Sequence, residues 1–81
     1  MNIAIVDDDK IELETVEYFL RFYIKKFRAD YENFIHIETF PNAREFLCYF
    51  NPKIYNVLIL GSHLRGILKL IGNSSVKVLL W

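Results

Sequence analysis

Asn2-Ile-Ala-Ile-Val-Asp-Asp-Asp9 decides how this sequence folds. Ile3 to Val6 are apolar and mostly β-branched, which suits a strand buried on both faces of a parallel sheet. Three carboxylates follow at once, and a helical pattern begins at Ile11. A strand that ends in acids and leads straight into a helix presents those acids at the carboxyl edge of a sheet. Open α/β folds bind their ligands at that edge.

Beyond the acids, residues 10–28 carry Leu13, Val16, Leu20, Tyr23, Ile24 and Phe27 at helical spacing, with Tyr18, Phe19 and Phe22 widening the apolar stripe. Glu12, Glu14 and Glu17 lie early, and Arg21, Lys25, Lys26 and Arg28 lie late, as the helix dipole favours. Asp9-Lys-Ile-Glu12 reads as a capping box. Ala29 to Asn33 is a polar connection. Phe34 to Thr39 alternates apolar and polar residues, the pattern of an edge strand. Asn42 caps a second helix that runs to Phe50, and Asn51-Pro52 stops it. Ile54 to Leu60 is a second apolar run and reads as a buried strand. Ser62 reads as the cap of a third helix, Leu64 to Ile71, which Gly66 weakens. Gly72-Asn73-Ser74-Ser75 reads as a turn, and Val76 to Trp81 as a last strand.

Strands alternating with helices predict an α/β domain over residues 1–81, β-α-β-α-β-α-β, with a parallel sheet and right-handed crossovers. The two wholly apolar runs belong at its centre. That gives the order 2-1-3-4, with Asn2–Val6 between Phe34–Thr39 and Ile54–Leu60.

Composition excludes several function classes. Ten basic and ten acidic side chains cancel, so no global field favours nucleic acid or a membrane surface. No apolar run approaches the roughly 18 residues that span a bilayer. One cysteine, Cys48, permits no internal disulfide, and its apolar setting reads as a buried, inert thiol. A cytoplasmic location fits both observations. At 53% hydrophobic residues, the chain holds more apolar material than so small a domain hides readily, which points to a partner surface.

The stretches Asn2–Asp9, Ile37-Glu-Thr-Phe40 and Tyr55-Asn-Val-Leu-Ile-Leu60, in this order around a long first helix, resemble the N-terminal half of a response-regulator receiver domain. The nearest likeness is to receivers of the LytR/AgrA type, which act in peptide signalling of Gram-positive bacteria. The resemblance covers residues 2–60 and implies a shortened flavodoxin-like fold. Receivers accept a phosphoryl group from a histidine kinase on an aspartate after the third strand, and acids after the first strand hold the Mg²⁺ that neutralises it. Asp7 and Asp8 match those acids. The acceptor position is Gly61, which has no carboxylate, and Ser62 beside it lacks an adjacent base. The Thr or Ser and the Lys that receivers place after later strands are also missing.

The resemblance therefore implies a receiver-like domain with no catalytic residue and no resident cofactor, with at most weak Mg²⁺ binding at Asp7 and Asp8. It implies a regulatory role through protein–protein contact: self-association, or capture of a full-length response regulator. Relative to a receiver, one face of the last two strands lacks its covering helix. A homodimer through Val57, Leu58, Ile59, Val78, Leu80 and Trp81 follows, with about half of these side chains on the opposite face. Two alternatives are a small nucleic-acid binder using Lys53, Arg65, Lys69 and Lys77, and a non-functional remnant of a regulator gene.

Overall fold

A computed structural model describes residues 1–72 and 75–81. Strand β1 (Asn2–Val6) lies inside the sheet, because Ile3 to Val6 offer no polar side chain to either face. It pairs in parallel with β2 (His36–Phe40) on one side and β3 (Val57–Leu60) on the other. Outside β3 lies β4 (Lys77–Leu80), also parallel. The order is β2-β1-β3-β4, as the two apolar runs predict. Val6 stands level with Phe40 and Leu60, so β1, β2 and β3 end at one edge.

Helix α1 (Lys10–Phe27) begins where it does because the Asp9 carboxylate accepts hydrogen bonds from the N–H groups of Ile11 and Glu12. These are donors that no helical carbonyl can satisfy. It covers part of one face of the sheet, packing Leu13 and Val16 on Ile5, with Leu20, Ile37 and Ile59 around them. The opposite face carries the larger core. There Ala4, Val6, Leu58 and Leu60 meet Phe46 of α2 (Ala43–Tyr49) and Ile71 of α3 (Leu68–Ile71). Asn42 caps α2 by accepting from the Glu45 N–H.

Several expectations are corrected. The apolar stripe of α1 is wider than the sheet can cover. Tyr18, Phe19, Phe22, Tyr23 and Phe27 are between 48% and 64% exposed. Residues 29–33, read as a plain connection, form a 3₁₀ helix together with Phe34, and β2 starts two residues later than predicted. The third strand starts at Val57, not Ile54. The Asn51 carbonyl accepts from the N–H groups of Ile54 and Tyr55, and its side chain accepts from Lys53, which holds that segment in a turn. The third helix is a 3₁₀ stretch, Ser62–Ile67, followed by the single turn of α3. Ser62 does not cap it with its side chain; its N–H donates to the Trp81 carbonyl. Cys48 is exposed, because α2 is short and turns only Phe46 fully inward. Of the turn expected at residues 72–75, positions 73 and 74 lie outside the described residues. No helix among the described residues is long and apolar enough to cross a membrane.

Candidate functional site

The acids and Gly61 meet at the carboxyl edge of the sheet. Asp7 follows β1 and Gly61 follows β3, and the Gly61 N–H donates to the Val6 carbonyl at 2.9 Å. Asp7 is 2% exposed. Its Oδ1 accepts from the Asp9 N–H at 2.9 Å, an Asx turn that carries the chain from strand to helix. Its Oδ2 has no hydrogen-bond partner among the described residues. Asp8 points outward and is 54% exposed at its side chain.

A third group joins them that the sequence reading passed over. His63, two residues after Gly61, places its Nε2 at 2.5 Å from Asp8 Oδ1 and 3.5 Å from Asp7 Oδ1. No sequence spacing links position 63 to positions 7 and 8. The signal that was available is topological: the loop after the third strand of a parallel sheet opens on the same edge as the loop after the first. His36, the other histidine, is an exposed residue of β2.

Gly61 is a spatial requirement, not a backbone one. Its φ of −54° is open to any residue. A Cβ there would stand 2.9 Å from Asp7 Oδ2 and 2.9 Å from the His63 ring. The His63 imidazole thus occupies the space into which a side chain at position 61 would project.

The electrostatics follow from this crowding. The hydrogen bond to Asp8 raises the His63 pKa above its ordinary value, against a smaller opposing effect of desolvation, and Asp8, Asp7 and Glu12 add attraction. Desolvation, followed by the charges of Asp7 and Asp9 and the approach of the Glu12 and Asp7 side chains, raises the carboxyl of Glu12. A histidine whose folded pKa exceeds its unfolded one stabilises the fold fully below about pH 6.5, and loses that contribution as pH rises through the folded value. The pair is solvent-screened, so the effect on stability is small. NMR titration reads it directly: the His63 ring should titrate above the ordinary histidine range, and Asp8→Asn should bring it down. An unchanged midpoint in that variant would contradict the pairing.

Mg²⁺ fits this donor set poorly. It prefers six oxygens in octahedral array, whereas the third donor beside Asp7 and Asp8 is an imidazole nitrogen.

Of the residues expected at an interface, Leu58 is fully buried in the core and cannot meet a partner, and the half-buried Val78 packs against the same core. Register explains both: Leu58 and Val78 stand side by side, facing α2 and α3. Val57 and Ile59 are half-buried on the α1 face. Leu80 is 49% exposed and Trp81 is 52% exposed. Leu79, not anticipated, is 49% exposed and stands beside Ile59 on the face that α1 leaves open. Comparison with models of known protein families, with curated proteins and with solved structures finds no match.

Proposed function

We propose that this chain is a receiver-like regulatory protein that accepts no phosphoryl group and acts through protein–protein contact, with a second copy of itself as the simplest partner. The observation that carries this reading is the apolar, open side of β3 and β4. α1 lies against β1 and β2. Leu79 and Trp81 are therefore exposed beyond it, and Leu80 is exposed at the rim of the other face. Among the described residues no strand pairs with the outer edge of β4. Lys77 and Trp81 donate their N–H groups inward, to the carbonyls of Asn56, just before β3, and Leu60. Strand alternation then turns the N–H groups of Val78 and Leu80 outward. Lys77 is the single charge on that strand, a thin guard against edge pairing.

Loss of phosphoryl chemistry is the other half of the reading. Position 61 offers no carboxylate, and His63 stands where one would extend. Incubation with a small phosphodonor and Mg²⁺, followed by intact-mass measurement, should leave the mass unchanged; a stoichiometric adduct would end this half of the proposal. Light scattering addresses the first half. A mass of twice 9.7 kDa is expected at tens of micromolar chain. A monomer at every concentration would refute self-association.

A further inference from the structure

Asp7 poses a problem that the hydrogen bonds of the described residues do not solve. It is 2% exposed, and its Oδ2 has no hydrogen-bond partner among the described residues. A buried carboxylate oxygen without a partner is costly, and a bound cation is one of the few things that satisfies it. That oxygen faces the space above Gly61, where the His63 ring also sits. Glu12 and Asp9 add negative charge nearby, with His63 as the basic group among them.

We propose that Asp7, Asp8 and His63 bind a first-row transition dication of the zinc, cobalt or nickel type, and that the imidazole selects such an ion over Mg²⁺. One ligand atom from each residue lies within 4.8 Å of the others. A tetrahedral ion with bonds of about 2.0–2.2 Å holds its ligand atoms roughly 3.3 Å apart. His63 Nε2 already stands 3.5 Å from the Asp7 carboxylate at Oδ1, and the unsatisfied Oδ2 of that carboxylate faces the same space beside the His63 ring. The contact between His63 and Asp8 is a short hydrogen bond of 2.5 Å and must open by about 0.8 Å to reach that spacing. Both side chains have room to move, being 48% and 54% exposed. Asp7, fixed by its Asx turn, is the immobile member. Imidazole favours zinc, copper, iron and nickel, whereas all-oxygen sets favour magnesium and calcium. On binding, the metal takes the place of the proton that Nε2 shares with Asp8; from an imidazolium that proton leaves to solvent, and from a neutral ring it moves to Nδ1, with no redox change in either case. Water fills the remaining positions. This inference concerns the acid edge alone and stands whether the chain is monomeric or dimeric.

Isothermal titration of the metal-free 81-residue chain with ZnCl₂, and separately with MgCl₂, tests it. One zinc per chain should bind, at least about 100-fold more tightly than magnesium. His63→Gln should weaken zinc by at least about tenfold. His36→Gln and Cys48→Ser, which remove the other soft donors, should leave binding unchanged. Asp7→Asn alters a buried group, so His63→Gln, on an exposed loop, is the deciding variant, with its urea midpoint confirming a folded chain. Three results would overturn the proposal: no saturable zinc binding up to about 1 mM, magnesium binding as tight as zinc, or zinc affinity indifferent to His63→Gln.

Discussion

Phe46→Ala should remove about 3–5 kcal/mol of stability, the usual cost of a large aromatic cut from a core. Phe46 is fully buried and is the one residue of α2 in that state. Its ring meets Phe40 edge-on at 5.4 Å, Phe50 at 5.2 Å and Tyr55 at 6.2 Å between centroids. α2 has only seven residues and would not hold helical shape alone. Its place on the sheet rests on that side chain. The aromatic cluster also fixes the buried Tyr55, whose hydroxyl donates to Glu38 across to β2 and whose pKa is pushed up to about 12, mainly by burial. A domain of this size has a total stability of roughly 4–12 kcal/mol, so the loss is a large share of it. The urea midpoint should fall by about a quarter or more. A shift worth under about 1 kcal/mol would mean that Phe46 does not anchor α2.

The sequence displays this core unevenly. β1 and the end of the second apolar run are legible because a strand in the middle of a parallel sheet must be apolar at nearly every position. The cap at Asp9 is legible because the chemistry is local: a carboxylate two and three residues from free N–H groups. The outer aromatics of α1 are not. Apolar character says that a residue can be buried, while the width of a four-stranded sheet sets how many positions of one helix are covered. Gly66 breaks the third helix into a 3₁₀ stretch and one α turn more completely than its spacing of leucines and isoleucines indicates. At the acid edge, Asp7 and Asp8 announce themselves by position. His63 meets Asp8 across 55 residues of chain, a contact that only the folded sheet creates.

Self-association should be abolished by Trp81→Lys, and separately by Leu79→Lys. Trp81 keeps about half its surface in water, on the order of 100 Å², and burying that area yields roughly 2.5 kcal/mol per protomer. In a two-fold dimer each substitution acts twice. An interface that pairs the free edges of two β4 strands runs them antiparallel and sets Leu79, Leu80 and Trp81 near their own copies. A lysine there buries a charge against its own symmetry mate, which adds repulsion to the lost contact. The dissociation constant should rise by at least about 100-fold, or some 2.8 kcal/mol. All of the affected side chains lie half in water in the isolated chain, so the monomer's urea midpoint should barely move. The control is Phe22→Lys. Phe22 is 48% exposed on α1, stacked on Tyr18, and carries the chain's other large apolar surface. If the β4 edge is the interface, Phe22→Lys leaves the dimer intact. If instead Phe22→Lys dissociates it while Trp81→Lys does not, the partner sits on α1, and the unpaired strand edge does not govern assembly.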